Sequence, residues 1–192
     1  LNHIDRMGLL SDGFEVTRAG YQSIDEYLDL LAIFTDESSL AAWEIIANSI
    51  GTIRNRLSVD DADNTLRDAM KPFVLNLISK QLNRLGWNEV AGEPHLDSLL
   101  RPLIIGLATA SADPNPISMA VNLWEQKIKE NYHINPDLRG IIYSTVARKG
   151  GQKEYNQLLK LYKETHSGDE KLSITAGMTS FKQPEIIKAV LE

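Results

Sequence analysis

Asn135-Pro136-Asp137 constrains this chain more than any other short string, because it is a helix start written in full. An asparagine side chain accepts from the unpaired amides of a first helical turn, and proline suits the first helical position. The aspartate then complements the positive end of the helix. Downstream, the pair Gly150-Gly151 is placed to stop that helix, either glycine supplying the left-handed residue of a helix C-terminus. A chain punctuated in this way is built from short helices.

The same signals recur along its length. Ile4, Met7, Leu10, Phe14 and Ala19 follow helical spacing, with Gly20 placed to end the segment. Ser23 and Glu26 form a capping box ahead of Tyr27, Leu28, Leu31 and Phe34. A third helix is expected from about Ser39 to Leu57, burying Leu40, Trp43, Ile46, Ala47, Ile50 and Ile53. Asp60 to Asp63 gives an acidic start to a fourth, which carries Leu66, Met70, Phe73, Leu77, Ile78 and Leu82. Pro72 lies inside it and is expected to kink or split it, since proline lacks a donor and clashes with the preceding turn. Gly86 to His95 reads as the longest loop. Further helices are expected at Leu96–Ala110, Ile117–Asn131, Pro136–Lys149, Lys153–Glu164, Glu170–Phe181 and Pro184–Leu191, with Asn115-Pro116 repeating the cap-then-proline start.

No segment alternates over strand length, so the chain reads as all-α. Helix pairs with short polar joints and no strict repeat predict a right-handed superhelical array of antiparallel pairs, an α-solenoid of the HEAT or armadillo kind. Residues 1–192 are read as one partial domain of that type. An array cut at both ends exposes apolar stripes, here Ile4, Leu9, Leu10 and Phe14 at one end and Ile186, Ile187, Val190 and Leu191 at the other. Self-association through those terminal helices follows as an expectation. The first residues, Leu1-Asn2-His3, are not a signal peptide, and we expect a fragment or a processed product.

The net charge of -6 argues against a nucleic-acid partner, whose backbone demands clustered lysine and arginine. The basic run Arg54, Arg56, Arg67, Lys71 is diluted by acidic residues and reads as a solvated face. The absence of cysteine excludes disulfides, thiolate metal sites and thiol catalysis, and fits a reducing, cytoplasmic setting. No apolar run is long enough for a membrane span.

Chemistry is harder to find. His3, His95, His133 and His166 fall in different segments without an i+4 partner, and H-E-x-x-H does not occur, so no metal site is expected. No serine lies in G-x-S-x-G. Gly150-Gly151 lacks the continuation of a phosphate loop, and Asp61-Ala62-Asp63 lacks the glycine of a calcium loop. Carboxylate pairs such as Asp25/Glu26 and Asp36/Glu37 sit at helix starts, where the macrodipole explains them. No catalytic residue is assigned. Three arginines remain, Arg54, Arg101 and Arg139, each among apolar neighbours. Either each pairs with a carboxylate within the fold, or it receives a peptide carboxylate in bidentate fashion.

The string from Ile134-Asn135-Pro136-Asp137-Leu138-Arg139 through Tyr143, Gly150-Gly151 and Glu154-Tyr155 resembles a signature of the C-terminal helical domain of zinc aminopeptidases. The type is that of aminopeptidase N and the puromycin-sensitive enzyme. Asp5-Arg6, Leu9-Leu10, Glu37, Trp43, Leu85-Gly86-Trp87, Glu93, Leu100-Arg101, Tyr162, Glu170-Lys171 and Lys182 to Ile187 follow in that family's order. The resemblance implies a bowl-shaped helical domain that caps an active-site cavity, moves in opening and closing, and helps admit peptide substrates. It also implies a β-saddle domain and a zinc-bearing, thermolysin-like domain in the same parent chain. No zinc ligand or catalytic residue of those domains is present here. Arg54 falls near a position resembling a basic residue that lines the cavity in antigen-trimming relatives. The alternative is a free-standing HEAT-like module whose concave face binds a peptide or protein.

Overall fold

The computed structural model describes residues 1–60 and 65–191, with the side chains of residues 58–60 and 66 outside that description. The side chains of Asp60 and Leu66 and the residues Asp61, Ala62 and Asp63, all used above, therefore lie outside that description. No strand occurs among those that are described, and the regular structure is helical, as expected. The chain forms two compact units, Leu1–Ala112 and Asp113–Glu192, each considered by itself.

In the first unit, α1 (His3–Arg18) opens on Asn2, whose side chain accepts from the Asp5 amide at 2.9 Å. It ends where Gly20 takes a left-handed φ of +80°, which lets the Tyr21 amide reach back to the Val16 carbonyl at 3.1 Å. The expected capping box opens α2 (Ile24–Ala32), with the Ser23 amide donating to Glu26 at 2.8 Å. A 3-10 turn (Ile33–Asp36) leads to α3 (Leu40–Asp60), α4 (Thr65–Leu85) and α5 (His95–Ala110). Trp43, Ile46, Ile50 and Ile53 recur every three or four residues on α3 and are buried against Val74, Leu77 and Ile78 of α4 and Leu100 and Ile104 of α5. Full burial of such a side chain is worth about 1.5–3 kcal/mol, which makes this shared seam the main source of cohesion in the unit.

Pro72 does not split α4, which runs as one helix from Thr65 to Leu85. The carbonyl that Pro72 cannot serve is that of Asp68, an exposed residue, so water can replace the missing donor.

A buried polar joint fixes the entry to α3. Glu37 accepts from Arg6 Nε at 2.6 Å and from the Ser38 and Ser39 amides at 2.9 Å each, while Trp43 Nε1 donates to its carbonyl at 2.7 Å. Burial pushes the Glu37 carboxyl up, but the Arg6 guanidinium and the two amides outweigh it and hold it below the ordinary glutamate range.

The second unit contains α6 (Pro114–Glu130), α7 (Pro136–Lys149), α8 (Gln152–Glu164), α9 (Gly168–Met178) and α10 (Pro184–Leu191). Helix α6 starts earlier than expected. Asp113, not Asn115, is its cap and accepts from the Asn115 amide at 3.0 Å, with Pro114 in the first turn. Asp113-Pro114 is itself a cap-then-proline pair, and the earlier pair lengthens the helix by about half a turn. Asn131 closes α6 in the left-handed region at φ +54°.

Asn135 caps α7 as expected, accepting from the Asp137 amide at 2.9 Å. The end of α7 differs from expectation, because neither Gly150 (φ -90°) nor Gly151 (φ -144°) is left-handed. Gly150 is needed for space: a Cβ there would lie 2.6 Å from Cγ of Glu154, whose carboxylate accepts from the Gly151 amide at 2.9 Å and caps α8. Gly177 has a similar role on α9, where a Cβ would meet Tyr143 Cβ of α7 at 2.6 Å. Close contact between α7 and α9 depends on that missing atom.

Of the residues expected on open terminal stripes, Leu10, Phe14 and Ile186 are buried, whereas Ile4, Leu9, Ile187 and Leu191 are exposed. Each terminal helix turns part of its apolar face into its own unit.

Candidate functional site

The three arginines singled out from sequence have three different environments. Arg54 on α3 is half-buried, and its Nη2 donates to the carbonyl of Ala110, the last residue of α5, at 2.8 Å. A cation at that position offsets the negative end of the α5 dipole.

Arg101, on the second turn of α5, is only 2% exposed. Its Nη1 and Nη2 donate to the two oxygens of Glu93 at 2.9 and 2.5 Å, and its Nε donates to the Leu85 carbonyl at 3.2 Å. One guanidinium thereby ties the end of α4, the following loop and α5 together. Arg84 and Asp97 make a second fork beside it, at 2.6 and 2.8 Å. The hydrogen bonds from Arg101, and then the Val90 amide, hold the Glu93 carboxyl below its ordinary range.

Arg139, in the first turn of α7, differs from both. Its side chain is 12% exposed, its nearest carboxylate is Glu170 Oε1 at 3.9 Å, and its buried Nε has no hydrogen-bond partner. Lys127 of α6, 15% exposed, stands at the same 3.9 Å from the same oxygen. Glu170 instead accepts from the Tyr143 hydroxyl at 2.9 Å and from the Thr165 hydroxyl at 2.7 Å. Burial raises the Glu170 carboxyl, but these two hydroxyls, followed by the charges of Arg139 and Lys127, bring it below the ordinary glutamate value. Tyr143 moves upward, through burial first and then the Glu170 charge beside it. Its ring meets Trp124 edge-on at 5.6 Å between centroids.

Also in the second unit, α6, the end of α7 and the start of α8 enclose a cleft of about 220 Å³. Trp124, Ile128 and Val146 line it, with Lys149 and Lys153 among its polar residues.

Arg54 and Arg101 belong to the first unit and Arg139 to the second, and the Ala110 carbonyl that accepts from Arg54 is not an acceptor of Arg101. Residue patterns had not marked Lys127 or Thr165, whose roles depend on the packing of α6 and α9 against α7. Glu93, Tyr143 and Glu170 had stood out only through the family resemblance. Among the described residues, no three His, Cys, Asp or Glu side chains converge as a metal site requires, so the donors here do not fit a zinc ion. No helix among them is long and apolar enough to cross a membrane.

With helices as the regular structure among its described residues and buried arginines at helix joints, the chain falls in the class of all-α domains. The match to known proteins narrows this: the ERAP1-like C-terminal domain model covers residues 1–192, and the chain belongs to that family. It is 27% identical to the alanine/arginine aminopeptidase of Saccharomyces cerevisiae over 188 residues, covering 97% of this chain and 22% of that protein. It is 28% identical to aminopeptidase M1 of Arabidopsis thaliana over 197 residues, covering 100% of this chain and 22% of that protein. With glutamyl aminopeptidase of Sus scrofa it shares 26% identity over 198 residues, covering 100% of this chain and 20% of that protein. The chain thus spans 20 to 22% of the length of these relatives.

Proposed function

We propose that this chain is the helical cap of a zinc aminopeptidase, covering the active-site cavity and helping to admit peptides for removal of their N-terminal residue. The observation that carries this reading is the family match over the whole of residues 1–192, with aminopeptidases as the relatives. In this reading the helix pairs continue as a right-handed superhelical array. The zinc and the catalytic groups belong to a thermolysin-like domain of the same parent chain, which also supplies a β-saddle domain. The cysteine-free composition supports a cytoplasmic setting. Exposed Ile4, Leu9, Ile187 and Leu191 are the surfaces through which the separate chain self-associates.

The peptide-carboxylate role of the arginines is part of the proposal. Arg54 is half-buried and is the arginine assigned to the substrate carboxylate, whereas Arg101, hydrogen-bonded to Glu93 and Leu85, acts by holding the loop before α5 in place. Arg139, whose buried Nε has no hydrogen-bond partner, is assigned the same carboxylate-binding role. The test compares the separate chain with its parent. The separate chain is expected to release nothing from aminoacyl chromogenic substrates, with or without zinc. In the parent, Arg54→Ala is expected to lower kcat/KM about tenfold for peptides with a free C-terminus, through KM, and to leave single-residue chromogenic substrates unchanged. Chelator-sensitive turnover by the separate chain, or an equal loss on both substrate types, overturns the reading.

A further inference from the structure

The cleft between α6, the end of α7 and the start of α8 has an apolar floor and a rim of both charges. Trp124, Ile128 and Val146 form the floor, and Ile128 is 39% exposed, so apolar surface there is open to water. On the rim, Glu125 and Lys129 are spent on each other at 2.8 Å. Lys149, in the last turn of α7, forms no ion pair among the described residues. Glu154 gives one oxygen to the Gly151 amide at 2.9 Å, and its other oxygen comes no closer than 3.9 Å to Lys153. Two open cations and a half-engaged carboxylate thus border one apolar space. At about 220 Å³ that space is smaller than the roughly 300–1,000 Å³ of sites for drug-sized ligands, so it suits a small molecule. Lys149 lies about 15 Å along α7 from Arg139 at 1.5 Å per residue, which separates the cleft from the cations around Glu170.

We infer that this cleft binds a free amino acid with an apolar side chain. The side chain lies against Trp124, Ile128 and Val146, the carboxylate meets Lys149 and Lys153, and the ammonium meets the open oxygen of Glu154. Each of the ligand's three groups has its counterpart. A simple acid lacks the ammonium that Glu154 can accept, and a simple amine brings a cation to two lysines with nothing for them to bind. In the proposed parent such an amino acid is what removal of an N-terminal residue releases, and the cleft makes the cap responsive to product. That link rests on the cap reading, whereas the binding itself does not.

The test follows the Trp124 Nε1–H resonance of the ¹⁵N-labelled 192-residue chain by NMR, since that N–H donates to Gln157 of the same cleft at 3.3 Å. L-Phenylalanine and L-leucine are expected to displace it saturably, and glycine, which has no apolar side chain, to leave it in place. N-acetylphenylalanine, without the ammonium, and phenylalanine amide, without the carboxylate, are each expected to bind about tenfold more weakly, as loss of one charge-assisted contact implies. Lys149→Gln is expected to weaken phenylalanine about tenfold and to leave phenylalanine amide unchanged. Lys160→Gln, on the exposed face of α8, is expected to have no effect. Equal binding of phenylalanine and its amide overturns the proposal in favour of a peptide N-terminus, and equal binding of N-acetylphenylalanine overturns it in favour of a simple apolar acid. No displacement by any of these compounds overturns it and leaves a solvated rim. The wild-type comparison among ligands stands even if a variant fails to fold. Because no catalysis is measured, a negative result here leaves the cap reading intact.

Discussion

Arg101 and Arg139 are both buried arginines near the start of a helix, one in each unit, and they are satisfied to very different extents. Arg101 makes three hydrogen bonds to Glu93 and Leu85, the longest 3.2 Å. Arg139 approaches Glu170 no closer than 3.9 Å and leaves Nε without a partner. Burial alone therefore does not tell whether a cation is a strut or a site. What tells is whether each guanidinium nitrogen has an acceptor, as all three of Arg101 do, since a nitrogen already paired has less to gain from a ligand. In the first unit the guanidinium closes a loop whose Gly86 and Gly92 take φ of +56° and +83°, so the loop is shaped to bring Glu93 back to α5. In the second, the carboxylate that faces Arg139 is held by hydroxyls from α7 and from the joint before α9.

The largest effect expected from this contrast is at Arg101. Arg101→Ala removes a long side chain from a fully packed place, orphans the Leu85 carbonyl and releases the loop that Glu93 anchors. A loss of about 3 kcal/mol is expected, from the cavity and the unpaired acceptor together. Urea unfolding measures it. A loss below about 1 kcal/mol, within the range of ordinary surface changes, would remove the strut from the comparison.

Much of this framework was legible in advance, and the divide between what was and was not is physical. Caps are local: Ser23 with Glu26, Asn135 with Pro136, and Pro184 reveal themselves within four residues, and the structure places helix starts at each. The start of α6 was misplaced because Asp113-Pro114 and Asn115-Pro116 are both valid caps, and only the whole helix chooses between them. Spacing predicts a left-handed stop at Gly150 or Gly151, yet neither is left-handed, and Gly150 instead makes room for Glu154, a contact that spacing cannot announce. The three arginines were recognised as out of place, but their partners were not. Glu93 lies across a loop from Arg101, and Glu170 lies beyond α8 from Arg139, so neither pairing has a periodic signature.

A smaller effect separates the two units under acid. The Glu170 carboxyl titrates below the ordinary glutamate value, so it stabilises the fold fully above the unfolded value of about 4.3. That contribution is lost as pH falls through the lower folded value. Amide hydrogen exchange in α7 and α9 is therefore expected to accelerate below about pH 4.3. In Glu170→Gln the second unit should start less stable at neutral pH and lose less on acidification. Glu37, held low by Arg6 and two amides, predicts the corresponding loss in α1 and α3, which Glu170→Gln should leave unchanged. An unaltered acid limb for α7 and α9 in that variant would show that the cluster is not what titrates there.

The smallest expected effect is the one that most sharpens the comparison. Arg139→Met keeps a long, flexible side chain in place and removes the guanidinium whose buried Nε has no acceptor. Glu170 retains both hydroxyl donors and Lys127, so the variant leaves no carboxylate buried without partners. Removing an unsatisfied buried cation relieves a desolvation cost, which offsets the long-range attraction lost at 3.9 Å. Stability is therefore expected to stay within about 1 kcal/mol of wild type by urea unfolding, in either direction. Arg101→Met, tested in parallel, should fall well outside that range, because it strands Glu93 and the Leu85 carbonyl. Equal losses for the two methionine variants would mean that Arg139 is as much a strut as Arg101. The surplus charge around Glu170 would then be a feature of folding and not of binding.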